Sequence, residues 1–180
     1  MKIWKGLHEL AKLSLIDSVH TKMSGVQAAG CSPIISAWDS GTRNIRPVQP
    51  RTIAKSLAIG NPADGFYALE VMAESGGSGL AVSDEEVVEG IRLLARTEGI
   101  FAETAGGVVC SGLKRLAEAG RVGRDEVVVA FITGAGLKTQ EAVMDTLTPP
   151  LQIEPTIASF EEAFGERSVV EARPAAGSAS

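Results

Sequence analysis

Histidine, cysteine and aromatic residues are scarce in this sequence of 180 residues, and each shortage excludes a class of function. Two histidines, His8 and His20, and two cysteines, Cys31 and Cys110, are too few for a His/Cys metal cluster, so no metal site is expected. Two cysteines also cannot form a disulfide framework, which favours a reducing, cytoplasmic location. Aromatic residues make up 4% of the chain and provide no stacking platform for nucleic acid.

Long apolar runs and clusters of positive charge are also missing. The longest uninterrupted apolar run covers six residues, 127–132, whereas a helix that crosses a bilayer needs about 18. No basic segment followed by an apolar core opens the chain, so no secretory signal is expected. Residues 1–60 hold eight of the 17 Lys and Arg but only three of the 22 acidic residues. These charges either face an anionic ligand or are solvated on the surface of the fold. Because these basic residues are spread out, we expect neither a nucleic-acid nor a membrane partner.

The pattern of apolar residues predicts helices and strands in alternation. Short strands are predicted around residues 22–27 and over 79–82, and an extended piece at 100–101. A Ser-Pro pair predicts a helix that Ser32 caps, and Gly60-Asn61-Pro62 predicts the start of another. Ser83 and Glu86 form a capping box, which predicts the start of a third helix. Helical spacing predicts further helices over 3–15 and 105–119, and a short one around 53–58.

Residues 127–132 predict the class of the fold. Six apolar residues without alternation are typical of a strand that is covered on both faces, as in parallel sheets. Together with the alternating helices, this run predicts an α/β fold with an open, mostly parallel sheet and helices on both faces. We expect residues 1–145 to form the domain, 146–174 an irregular extension with one short helix around 159–164, and 175–180 a disordered tail.

Thr133, directly after this run, is the first candidate for a ligand-binding residue. Open α/β sheets bind ligands at the carboxyl ends of their strands, and the glycines that follow allow a flat ligand to approach the backbone. Alternatively, Thr133 caps the next helix. The sequence Gly134-Ala135-Gly136 lacks the third glycine of a dinucleotide loop and predicts a turn. No phosphate-binding loop with Lys-Ser/Thr and no Gly-x-Ser-x-Gly nucleophile motif occurs.

Glu103 is a second candidate, because it stands before a helix that begins with small residues. A carboxylate there either contacts a ligand or interacts favourably with the helix dipole. Cys31 and Cys110 are interpreted as small buried residues that fill the core.

Five motifs in order resemble the threonine synthase family of pyridoxal-phosphate enzymes, over residues 1 to about 145. They are Ile3-Trp4-Lys5-Gly6-x-x-Glu9-Leu10, Gly25-Val26-Gln27-Ala28-x-Gly30-Cys31-x-Pro33-Ile34, Thr52-Ile53-Ala54-x-Ser56-Leu57-Ala58-Ile59-Gly60-Asn61-Pro62, Glu98-Gly99-Ile100-Phe101-x-Glu103-Thr104-Ala105-Gly106-Gly107 and Thr133-Gly134-x-Gly136-Leu137-Lys138-Thr139. Thr104 departs from the family, which often has proline at this position.

The resemblance implies a fold and an activity. The chain resembles the carboxyl-terminal half of the large domain of a fold type II enzyme that uses pyridoxal 5'-phosphate (PLP). The implied lyase reaction converts O-phospho-L-homoserine and water to L-threonine and phosphate. Thr133 corresponds to the residue that hydrogen-bonds the pyridine nitrogen of the cofactor.

The resemblance also implies which parts of the family's site this chain does not contain. The Schiff-base lysine and the loop for the cofactor phosphate precede the matched region, so no catalytic residue is assigned here. We therefore expect this chain alone to be inactive and to need a complementary amino-terminal half, with a homodimer as another possible assembly. Two alternatives stay open: a non-catalytic binding or scaffold module of the same fold, and another PLP lyase such as a threonine dehydratase-like enzyme.

Overall fold

The computed structural model describes residues 2–171, with side-chain surroundings for residues 2–164. It divides the chain into two units, Met1–Asp145 and Thr146–Ser180. The first unit contains the strands β1 (Gly25–Ala28) and β2 (Gly79–Val82) and the helices α1 (Lys2–Lys12), α2 (Pro33–Asp39), α3 (Gly65–Glu74), α4 (Asp84–Glu98), α5 (Thr104–Glu118) and α6 (Glu141–Met144).

The second unit contains helix α7 (Ile157–Glu171), which is longer than the helix predicted around 159–164. The disordered tail predicted for 175–180 lies outside the described residues, as does the end of the predicted extension. In the part of the chain that is described, no helix has the length and apolarity needed to cross a bilayer.

The sheet consists of two parallel strands. Gly25 of β1 lies opposite Gly79 of β2, and Ala28 lies opposite Val82. Parallel neighbours need a crossover connection, which α2 and α3 provide here. The predicted parallel sheet is therefore present, with two strands in the described part of the chain.

Helices cover both faces of this sheet. Ile35 and Trp38 of α2 fill the space beside Gly79, whereas Val26 contacts Gly112 of α5. In the strand register Gly79 lies opposite Gly25, the residue before Val26. Because successive residues of a strand point to opposite faces of the sheet, α2 and α5 lie on opposite sides of it. The predicted α/β arrangement is confirmed.

Each face has its own apolar core. On one side, Ala28 and Val82 of the strands pack with Val87 and Ile91 of α4 and Val108 of α5. On the other side a smaller cluster joins α2 and α3; its members are Ala37, Leu69 and Met72. The strands therefore form the middle layer between two groups of helices.

Helices α4 and α5 approach closely because glycines lie at their contact. A Cβ at Gly90 would overlap the carbonyl oxygen of Gly107, and a Cβ at Gly107 would overlap the carbonyl oxygen of Val87. One turn from Gly107, the buried Ser111 donates its hydroxyl hydrogen to the carbonyl oxygen of Glu86. This hydrogen bond satisfies the hydroxyl inside the contact.

The predicted start of α4 is confirmed. The amide of Glu86 donates to Ser83 Oγ at 3.3 Å, and the amide of Ser83 donates to Glu86 Oε2 at 2.7 Å, which is a complete capping box. The helix ends at Gly99, whose φ of 68° lies in the left-handed region that glycine adopts without steric cost.

The helices predicted after Ser32 and after Asn61 are both present, and Ser32 directly precedes α2, but neither helix has the predicted side-chain cap. Ser32 makes no side-chain cap for α2; instead Gln27 Oε1 accepts from the amides of Ile34 and Ile35, at 2.9 and 3.1 Å. Helix α3 begins at Gly65, after Asp64, rather than beside Asn61. In α2, the side chain of Gln27 takes the role that was predicted for Ser32.

The predicted buried strand at residues 127–132 is also wrong. The segment is not paired with β1, β2 or any other described segment, and most of its side chains are exposed. A strand requires a neighbour for its amides and carbonyls. The composition of the segment is typical of a strand, but the described chain supplies no partner for it.

Replacement of Gly107 by alanine tests the glycine contact. Alanine normally stabilises a helix interior relative to glycine by about 1 kcal/mol. At this position we expect a loss of about 1–3 kcal/mol in the free energy of unfolding, because the added carbon overlaps α4. Urea denaturation measures this change in the free energy of unfolding. Gly6→Ala in α1, where a Cβ meets nothing within 4 Å, is the matched control and should stabilise; stabilisation by both variants would contradict the contact.

The contact between Lys22 and Glu126 predicts a pH dependence. Lys22 Nζ lies 2.7 Å from Glu126 Oε1, and this hydrogen bond, followed by one from the Gly123 amide, lowers the pKa of Glu126. A lowered carboxylate pKa stabilises the folded chain above the unfolded pKa, and this stabilisation is lost as pH falls through the lowered value. In NMR titrations, Lys22→Met should raise the pKa of Glu126, whereas Lys12→Met should leave it unchanged.

Candidate functional site

The loop that carries Thr133 lies against the start of α5. The amide of Glu103 donates to the carbonyl oxygen of Gly134 at 2.9 Å, and the amide of Gly136 donates to the carbonyl oxygen of Phe101 at 2.8 Å. These main-chain bonds hold the two segments antiparallel, around a single bridge between Ala102 and Ala135. The structure therefore brings the two predicted site segments together.

Small residues are required where the two segments meet. A Cβ at Gly134 would overlap the carboxyl group of Glu103, and a Cβ at Gly136 would overlap the ring of Phe101. The sequence predicts that the glycines after Thr133 allow a ligand to approach. In the structure they allow the side chains of residues 101 and 103 to approach.

Thr133 is exposed and precedes this contact by one residue. Its predicted position at the end of a buried strand is wrong, because residues 127–132 form no strand. The alternative role as a helix cap is also not found: Ala135 precedes the 3-10 turn Gly136–Lys138, and Gln140 precedes α6. Among the described residues, the Thr133 hydroxyl has no hydrogen-bond partner, so it is free for one.

Glu103 is buried, with 7% of its surface exposed, at the position before the first turn of α5. Its side chain makes no capping hydrogen bond, and no ion pair to its carboxylate occurs among the described residues. A carboxylate at this end of a helix interacts favourably with the dipole, which was one of the two expected roles. Its other expected role, contact with a ligand, stays a prediction.

Thr104 was missed as a site residue. Its side chain is fully buried and its hydroxyl has no partner among the described residues, whereas its amide donates to Thr139 Oγ1 at 3.1 Å. Buried hydroxyls are normally hydrogen-bonded, so this one is exceptional. The only signal in the sequence was the threonine itself, at a position where the family often has proline.

The cysteines do not form a nucleophilic site. Cys31 is buried and Cys110 is half-buried, and burial raises the pKa of both thiols. A raised pKa keeps a thiol protonated and unreactive at neutral pH. The structure is consistent with their predicted role as small residues of the interior.

Two clefts of the described residues lie elsewhere. One of about 290 Å³ follows α2, with Ser36 and Arg46 in its wall, and the other, of about 250 Å³, lies between α4 and α5 beside Glu89 and Lys114. Neither includes Thr133 or Glu103. Thr133 itself is exposed on the surface of the described chain.

A parallel sheet between helix layers, with a glycine-containing loop against a helix start, is typical of cofactor-binding α/β enzymes. Residues 2–134 match the family described as pyridoxal-phosphate dependent enzyme, and this chain belongs to that family.

Curated relatives share the name threonine synthase, as the motifs indicated. The chain is 44% identical over 153 residues to that of Methanocaldococcus jannaschii, covering 84% of this chain and 38% of the relative. It is 40% identical over 166 residues to the threonine synthase of Methanosarcina acetivorans, and the match covers 91% of this chain and 41% of that relative. A solved threonine deaminase from the organism abbreviated T.th. has a TM-score of 0.46 and 22% identity, covering 64% of this chain and 39% of that one. The chain thus spans about two fifths of the curated relatives it matches.

The family's cofactor, pyridoxal phosphate, has a flat ring with one nitrogen, which a hydroxyl group can hydrogen-bond. The hydroxyl of Thr133 is exposed and, among the described residues, without a partner, which is what a contact with the ring nitrogen requires. Gly134 holds the loop close against Glu103, where a side chain would separate the two segments. The chemistry of Thr133 is compatible with a contact to the ring nitrogen, and this contact stays a prediction.

The unpartnered hydroxyl of Thr104 gives a test of the site's packing. An unsatisfied buried polar group costs about 1–3 kcal/mol, so Thr104→Val should raise the free energy of unfolding by about 1 kcal/mol. Thr139→Val removes the acceptor of the Thr104 amide and should lower the free energy of unfolding by about 1 kcal/mol. Chemical denaturation measures both. Destabilisation by Thr104→Val would show that the hydroxyl has a partner, such as a bound water.

Proposed function

We propose that this chain is part of a PLP-dependent threonine synthase that works in the cytoplasm. The reaction converts O-phospho-L-homoserine and water to L-threonine and phosphate. The observation that carries the proposal is the 44% identity over 84% of the chain to a relative named threonine synthase. Relatives with the same name from other organisms, at 35–40% identity, support it.

The proposed activity requires more of the family's polypeptide than this chain. The matched relatives are about two and a half times as long as the region they share with it. The Schiff-base lysine and the loop for the cofactor phosphate are assigned to that further part. The exposure of Thr133 supports this division, because a cofactor needs walls on its other sides to be held.

Thr133 is proposed to hold the ring nitrogen of the cofactor. When bound, pyridoxal phosphate supplies an electron sink for the charge that develops on the substrate. In that contact the neutral hydroxyl of Thr133 would leave the nitrogen largely unprotonated, which would set how strongly the ring withdraws electrons. The main-chain bond between Glu103 and Gly134 holds the loop on α5, so Glu103 acts as a positioning residue for Thr133.

The role of Thr133 is tested in the assembled enzyme. The chain is co-expressed with the part of Methanocaldococcus jannaschii threonine synthase outside the 153 matched residues, and phosphate release from O-phospho-L-homoserine is measured. Thr133→Val should lower kcat about ten- to a hundredfold, since a lost hydrogen bond to a buried polar group costs about 1–3 kcal/mol.

Thr133→Ser is the matched control, because it keeps the hydroxyl and should retain most of the activity. The absorbance spectrum of the bound cofactor should change in Thr133→Val and not in Thr133→Ser. Full activity of Thr133→Val would contradict the assignment. An assembly that binds the cofactor but releases no phosphate from this substrate would contradict the proposed reaction.

A further inference from the structure

Thr139 caps helix α5 from a distant part of the chain. Its side-chain oxygen Oγ1 accepts a hydrogen bond from the amide of Thr104, the first residue of the helix, at 3.1 Å. The side chain of Glu103, which directly precedes the helix, makes no capping bond. The first amides of a helix have no partner within it, and the residue before the helix commonly supplies the acceptor. Here a threonine 35 residues further along the chain supplies it.

This bond attaches the far end of the Thr133 loop to the start of α5. The main chains of Gly134 and Gly136 are already bonded to residues 103 and 101, at 2.9 and 2.8 Å. Thr139 adds a side-chain attachment to the same helix start, three residues after Gly136. Ahead of Thr133, residues 127–132 make no main-chain hydrogen bond within the described chain. The position of Thr133 therefore depends mainly on the residues that follow it.

Thr139 is itself held in place. Its amide donates to the carbonyl oxygen of Gly136 at 3.0 Å, and its carbonyl oxygen accepts from the amide of Ala142 at 3.1 Å. One residue later, Val143 of α6 is buried in the apolar core beside α4. Because the acceptor is already ordered, its bond to Thr104 can fix the loop relative to α5.

The bond requires a residue with an amide hydrogen at position 104. Proline has none, and the family that the motifs resemble often has proline at this position. The backbone here would accept proline, because Glu103 has a φ of −66° and a ψ of 171°, the extended conformation that precedes proline. The first position of a helix also favours proline. Thr104 is therefore not needed to begin α5, and what it adds is a donor for Thr139.

We propose that Thr139, through the amide of Thr104, is a positioning residue for Thr133. The bond fixes the end of the loop on α5 and so limits where the Thr133 hydroxyl can lie. The proposal rests on the proposed function, because it takes the contact between Thr133 and the ring nitrogen of the cofactor as given. Hydrogen bonds weaken steeply as their angle departs from linear, so a loosely held loop would make a weaker contact.

The first experiment uses the chain co-expressed with the part of Methanocaldococcus jannaschii threonine synthase outside the 153 matched residues. Thr139→Val removes the acceptor and should lower kcat for phosphate release about three- to tenfold, because one neutral hydrogen bond is lost. KM should change little. The absorbance spectrum of the bound cofactor should shift in the same direction as in Thr133→Val. Thr139→Ser keeps the hydroxyl and should restore both kcat and the spectrum.

Combined variants show whether Thr139 acts through Thr133. In a Thr133→Val background, Thr139→Val should cause no further loss of kcat, because the hydroxyl that it positions is gone. Thr104→Pro removes the donor amide and should lower kcat as much as Thr139→Val, and the two together should be no worse than either. Thr97→Val removes a hydroxyl that donates within α4; it is the matched control and should leave kcat and the spectrum unchanged.

A measurement on the isolated full chain needs no cofactor. In hydrogen exchange followed by NMR, the amide of Gly136 is compared with the amide of Gly77, which donates to the carbonyl oxygen of Met72. Relative to Gly77, Gly136 should exchange about threefold faster or more in Thr139→Val, and at the wild-type rate in Thr139→Ser. The comparison separates a loosened loop from a general loss of stability. An unchanged ratio would show that the loop is held without Thr139 and would overturn the proposal.

The outcomes also distinguish the positioning role from the proposed reaction. Full activity with an unchanged spectrum in Thr139→Val or Thr104→Pro would overturn the positioning role and leave the reaction intact. A loss of kcat that adds to that of Thr133→Val would overturn it as well. An assembly that binds the cofactor but releases no phosphate from O-phospho-L-homoserine would overturn the reaction, while the cofactor spectrum and the exchange of Gly136 would still decide the role of Thr139.

Discussion

The close contact between α4 and α5 is the constraint on which the rest of the first unit depends. Gly90 and Gly107 let the two backbones touch, and Ser111 satisfies a carbonyl of α4 within that contact. Helix α5 also packs on β1 through Gly112. These two contacts fix the position of α5 and therefore the position of its first turn. The segment around Glu103, and hence the Thr133 loop bonded to it, follows from that position.

Polar side chains connect the loops to the starts of helices in this fold. Asp84, in the first turn of α4, accepts from the hydroxyl of Thr52 and from the amide of Ile53, so it holds the loop before α3 against the core. Thr139 likewise accepts from the first amide of α5. Each bond satisfies a hydrogen-bond donor and positions an irregular segment against a helix start at the same time.

The sequence predicted best the features that depend on neighbouring residues. The Ser83–Glu86 capping box and strand β2 were predicted correctly, because their signals lie within a few positions of each other. The prediction for residues 127–132 was wrong, since apolar composition shows a preference for pairing but not whether a partner is present. The position of Thr133 beside Glu103 was likewise not readable from spacing: their segments, 30 residues apart, meet through main-chain bonds. The unpartnered hydroxyl of Thr104 follows from packing alone.

Gln27 shows how the fold tolerates chemical ageing. Its side-chain oxygen accepts both amides at the start of α2 while its backbone belongs to β1, so one residue joins the sheet to that helix. Spontaneous deamidation of glutamine yields glutamate, which keeps an acceptor oxygen in the same place. The negative charge gained would lie at the positive end of the helix dipole, where carboxylates are favourable. Loss of the amide nitrogen at this position therefore leaves the junction between sheet and helix intact.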